Sequence, residues 1–242
     1  MTAYLAQCRA ELVLTLRRGE SVLLTLGIPV LLLVFFSQVE VLPLPAGVDE
    51  PIAFLAPGVI ALALMSTAMV NVAIATGFER QYGVLKRLGS TPLGRPRLLA
   101  AKTTVVLAVE VLQLVVLVPL SLLLGWDPQA TWPAFVLVAA LGTVAFAGLG
   151  LLMAGALRAE ITLALANGLY LVLLLLGGMI FPLGELPGPL EAVAKALPAA
   201  ALAAGVDGTV TAGASVPGWA WASLVVWAVA APLAAALTFR WE

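Results

Sequence analysis

Six apolar segments, at about residues 20–38, 52–76, 103–125, 133–157, 161–181 and 217–239, constrain this chain more than any other feature. A helix needs roughly 20 apolar residues to cross the hydrocarbon core of a bilayer, and each segment approaches or exceeds that length. The runs are apolar on every face, whereas the strands of a membrane barrel alternate polar and apolar residues. With only 10% charged residues and a mean hydropathy of +1.11, the chain lacks the polar surface to coat a soluble globule. The expectation is an all-α membrane protein with six transmembrane helices, because lipid offers no partners to unpaired backbone groups. No composition shift or repeat divides the chain, so residues 1–242 are expected to form one membrane domain.

Basic residues set the orientation. With a cytoplasmic amino terminus, Arg9, Arg17, Arg18, Arg80, Lys86, Arg87, Arg95, Arg97, Lys102, Arg158 and Arg240 all lie inside and Lys195 alone lies outside. Glu40, Asp49, Glu50, Asp127, Glu185, Glu191 and Asp207 then occupy the outer loops. Both termini are expected in the cytoplasm, in a multi-pass protein of the inner membrane. Arg17 and Arg18 precede the first apolar run as in a secretory signal, but its length and the missing small-residue cleavage site favour an uncleaved span. Before it, Leu5, Cys8, Leu12 and Leu16 share one helical face, which fits an interfacial helix or a solvated basic anchor.

Between spans two and three, Phe78, Tyr82, Leu85 and Leu88 recur at helical spacing while Glu79, Arg80, Lys86 and Arg87 occupy other faces. This pattern predicts a short amphipathic helix at the cytoplasmic surface, ended by Thr91-Pro92. Gly83 within it costs about 1 kcal/mol relative to alanine, a sign of a bend or a close backbone contact. Between spans five and six, Phe181, Pro182 and Pro187 lead into an apolar run that Pro198 ends. The run is too short to cross and too apolar for a solvated loop, so a re-entrant helical hairpin or an interfacial helix is expected. In span four, Gly150 and Ala154 have the spacing that lets helices approach closely, either within the chain or between subunits.

Catalytic parts are scarce. The sequence holds no histidine and one cysteine, Cys8, so zinc sites, thiol redox chemistry and Ser-His-Asp hydrolysis lack their residues. No glycine-rich loop with a phosphate-binding lysine occurs, so any ATP must be handled by another polypeptide. The polar residues within spans are chiefly Asn71, Glu110, Gln113 and Asn167. Glu110 and Gln113 are three apart and share a helix face, where they line a transport path or form a structural hydrogen-bonded group.

The stretch from Glu79 to Leu93, with Gly177-Gly178-Met179-Ile180-Phe181-Pro182 followed by Leu186-Pro187 and Leu197-Pro198, resembles the membrane permeases of type-2 ABC exporters, among them daunorubicin-type drug-efflux permeases. The resemblance runs along nearly the whole chain. It implies that Phe78 to Leu88 form a coupling helix seated on a separate ATP-binding subunit, with Glu79, Arg80, Lys86 and Arg87 facing charges on it. Phe78, Tyr82, Leu85 and Leu88 would dock or anchor the helix, with Gly83 at its bend. It further implies two ATP-binding subunits that carry ATP and Mg, a second permease subunit in a homodimer or heterodimer, and efflux of a drug, lipid or lipid-linked compound. An ion-coupled secondary transporter or channel using Glu110 is the alternative.

Overall fold

The computed structural model describes residues 3–17, 19–38, 50–90, 94–179 and 182–239, and among these residues the regular structure is entirely helical. Helix α1 (Ala3–Arg17) lies against the start of the third span, and α2 (Gly19–Gln38) supplies the first of the apolar segments. Within α2 the part Thr25–Gln38 is apolar and shorter than the spans that follow. Span two is one continuous rod of 31 residues, Pro51–Gln81. It comprises α3 (Pro51–Met65), a π-helical turn at Ser66–Asn71, and α4 (Val72–Gln81). Burial of nearly every α3 side chain puts this rod at the centre of the bundle.

After a short α5 (Val84–Gly89), the third to fifth spans are α6 (Arg95–Leu123), α7 (Trp132–Ala156) and α8 (Ala159–Leu176). The last is α11 (Gly218–Thr238), which follows a bent pair, α9 (Gly188–Ala196) and α10 (Pro198–Val210). Five helices are long and apolar enough to cross a membrane, and the bent pair meets the same test if taken together. The chain is therefore a multi-pass helical membrane protein. Lipid is as apolar as leucine, so the bundle is held by close packing rather than by exclusion of water. Span four shows this: Gly150 lies under the Met69 carbonyl of the π-turn and Gly148 under the backbone of α11 at Ala231 and Pro232. The close approach of Gly150 is thus made within the chain.

Two expectations need correction. The helix expected over 78–88 is two helices, because Tyr82 and Gly83 leave the helical path. Gly83 adopts φ +72°, a left-handed conformation that ends α4 and lets α5 start in a new direction. Nothing lies within 4 Å of a Cβ placed there, so the glycine is needed for its backbone and not for a close contact. Gly83→Ala should accordingly cost about 1–2 kcal/mol, all of it backbone strain, as a lowered unfolding midpoint in detergent would show.

The second correction concerns Pro198, which follows the end of α9 as expected but also begins a further helix, α10. Leu197, at φ −83° and ψ 146°, takes the extended conformation usual before proline, and α10 then departs at 83° to α9. Its first turns, Ala199 to Ala203, are buried on all sides where α10 packs against α3, α7 and α11, and the Trp227 indole and Ser223 hydroxyl of α11 donate to the carbonyl of Ala196 at the bend. Pro187 caps α9 and Pro182 precedes a single 3-10 turn at Leu183–Glu185. Phe181 and Thr91-Pro92 lie outside the described residues.

Candidate functional site

Two adjoining features occupy the end of the bundle that carries most of the basic residues: the α4–α5 elbow and a cavity beside it. In the elbow, neighbouring residues of α4 reach to different helices. Glu79 pairs with Lys102 of α6 at 2.7 Å, and the same ammonium pairs with Glu11 of α1 at 3.1 Å. Arg80 turns the other way, donating to the carbonyls of Ala154, Gly155 and Leu157 at 2.9, 2.6 and 2.7 Å. These are the carbonyls that the last turn of α7 leaves without helical partners, and a cation there also opposes the helix dipole. Gln81 donates to Glu160 of α8.

Past the bend the apolar stripe divides. Leu85 is fully buried and Leu88 packs partly against the core, while Tyr82 is 71% exposed and stacks on Phe78 at 6.1 Å. Lys86 and Arg87 point outward. The elbow thus has an inner set, Glu79, Arg80 and Leu85, of which Glu79 and Arg80 tie it to α1, α6 and α7, and an outer set, Tyr82, Lys86 and Arg87, that is exposed. A displacement of α5 would pull on several spans at once.

The cavity, of about 340 Å³, lies between α1, α2, the α3–α4 rod and α6. Its polar wall follows from one proline. Pro29 has no N–H to give the carbonyl of Thr25 four residues earlier, and Gln113 of α6 donates to that carbonyl instead, at 3.0 Å. The Gln113 amide oxygen accepts from Thr67 at 3.1 Å, and Asn71 donates to the Thr25 hydroxyl at 3.1 Å. Thr67 and Asn71 both belong to the π-turn and, four residues apart, lie on one face of the rod toward the cavity.

Of the four polar residues singled out in the spans, Asn71 and Gln113 therefore meet, with Thr25 and Thr67, at one wall. Glu110 does not join them: three residues back and rotated about 60° around the helix, it faces α7 and accepts from Thr143. Its other carboxylate oxygen is buried without a protein partner among the described residues. Asn167 sits on the exposed side of α8 and donates to its own Leu163 carbonyl. Sequence reasoning had no means of finding Thr25, Thr67 or Glu11, because a threonine in a membrane helix ordinarily bonds its own backbone.

The described residues thus form a helical membrane protein whose elbow is fastened to three other helices. The model of the ABC-2 type transporter family matches residues 2–210, and the chain belongs to that family. No curated protein matches it in a sequence comparison.

Proposed function

We propose that the chain is the permease subunit of an ATP-driven exporter of the cytoplasmic membrane, with both termini in the cytoplasm. A separate ATP-binding subunit, present in two copies and holding ATP and Mg, docks on the outward residues of the elbow. The observation that carries this reading is the division of the elbow: Tyr82, Lys86 and Arg87 exposed, Glu79 and Arg80 tied to three other helices. A basic residue that only fixed topology would need no such tie. Closure of the ATP-binding subunits moves the elbow, and the spans tilt as bodies. Two permease copies, identical or related, enclose a hydrophobic or amphipathic cargo such as a drug, a lipid or a lipid-linked compound, consistent with the few charges within the spans.

The test is co-purification with the ATP-binding subunit encoded beside this chain. The triple variant Tyr82→Ala, Lys86→Glu, Arg87→Glu should lose at least tenfold in affinity for that subunit while still purifying as a folded chain, since all three side chains are exposed. Unchanged affinity and unchanged ATP-dependent transport would remove the elbow from the coupling role. The ion-coupled reading draws on one observation, the unpartnered oxygen of Glu110. Glu110→Gln keeps the shape and a partner for Thr143, so ATP-driven transport should persist with the same pH profile; loss of transport together with a flattened profile would favour the ion-coupled reading.

A further inference from the structure

We propose that the cavity beside the elbow is a binding site for a single-chain cationic amphiphile, a use that goes beyond the export reading and does not depend on it. Charge supplies the first observation. Lys102, 4% exposed, pairs with both Glu11 and Glu79, so one ammonium faces two carboxylates, and among the described residues the lining carries an excess negative charge. Arg80, the nearest cation on the same helix, is turned toward the carbonyls of α7. An uncompensated carboxylate in a low-dielectric wall attracts a cation more strongly than it would in water.

A second observation is independent of charge. Val72, Ala75, Thr76 and Glu79 fall on one face of α4 and all line the cavity. Thr76 is 1% exposed, and its hydroxyl has no hydrogen-bond partner among the described residues. Buried hydroxyls are almost always partnered, and leaving one unpaired costs about 1–3 kcal/mol. A bound polar head beside Thr76 would supply the missing partner.

The remaining wall selects the rest of the ligand. Val105, Val109 and Leu112 form an aliphatic stripe of α6, and Leu14 and Leu16 of α1 line it while remaining exposed. A hydrated inorganic ion would gain nothing from this surface, whereas an alkyl chain would. The volume stands at the low end of the roughly 300–1,000 Å³ of small-molecule sites, which suits one chain and a compact head.

The test uses the full chain in phosphatidylcholine nanodiscs, with radiolabelled decylammonium, whose N–H groups can donate to the Thr76 hydroxyl, as probe, decyl sulfate as the anion of equal chain length, and empty nanodiscs subtracted. Saturable binding of the cation, at least tenfold tighter than the anion, is expected. Ala75→Leu should abolish it by filling the cavity, and Glu11→Gln should weaken it about tenfold. Thr76→Val removes the unpaired hydroxyl at constant shape, so it should fold at least as well as the parent and bind a few-fold more weakly. No saturable uptake above empty nanodiscs, equal affinity for anion and cation, or full binding by Ala75→Leu would overturn the site. Since no ATP-binding subunit is present, none of these results bears on the coupling reading.

Discussion

Gly148→Val is expected to prevent the native packing of α7 on α11. A Cβ built on Gly148 falls 2.6 Å from the nitrogen of Pro232, 2.7 Å from its Cδ and 2.8 Å from the carbonyl carbon of Ala231, all of them backbone or ring atoms that cannot rotate away. The helices would have to separate along the most extensive helix contact in the bundle. In lipid the loss is one of close packing, with no hydrophobic gain to offset it, and a loss above about 4 kcal/mol places the variant among the severe core substitutions. Gly168→Val is the matched control, because nothing lies within 4 Å of a Cβ there. Unfolding in mixed detergent micelles should show the first variant collapsing at once and the second close to the parent; equal behaviour would mean that α7 and α11 are not in contact at this point.

The second large effect is expected from Arg80→Met. The change keeps most of the side-chain volume and removes the guanidinium from the carbonyls of Ala154, Gly155 and Leu157. Hydrogen bonds from a charged donor contribute roughly 1.5–3 kcal/mol each, and the three share one group, so a combined loss of about 3 kcal/mol is a sober figure. Arg80→Lys should recover little of it, since an ammonium cannot reproduce the planar fork that spans several carbonyls. Arg87→Met, on the outer side of the same elbow, should leave stability unchanged within about 0.5 kcal/mol. Transport measured on protein that remains folded would then separate Arg80, which holds α4 to α7, from Arg87, for which contact with the ATP-binding subunit is the proposal.

The contrast between these two arginines shows what could be read from the sequence. Both are basic residues in the same charged stretch between two spans, and spacing alone assigns them the same task. Only the end of α7, some seventy residues further along, distinguishes them. Five of the six expected spans were legible because an apolar run of fixed length has one physical outcome in a bilayer, and they correspond to the α3–α4 rod, α6, α7, α8 and α11; over the first segment α2 holds only the shorter apolar part Thr25–Gln38. Gly83 announced a bend but not its sharpness. Pro198 was ambiguous in principle, since proline both stops a helix and suits the first turn of the next. Thr67 and Asn71, four apart, share a face on any helix, but nothing in the sequence says that Thr25 of α2 and Gln113 of α6 pack opposite them. Glu110 and Gln113 show the remaining limit: a shared helix face still spans enough arc for the two side chains to reach different neighbours.

Thiol labelling at Lys86 reaches the central claim most directly. Lys86→Cys in a Cys8→Ser background leaves one cysteine in the chain, on the outer side of the elbow. A membrane-impermeant maleimide should react with it only from the face of the vesicle at which ATP is supplied, and addition of the ATP-binding subunit should shield it. Reaction from the opposite face, or undiminished reaction with the subunit bound, would contradict an elbow that takes its drive from that subunit.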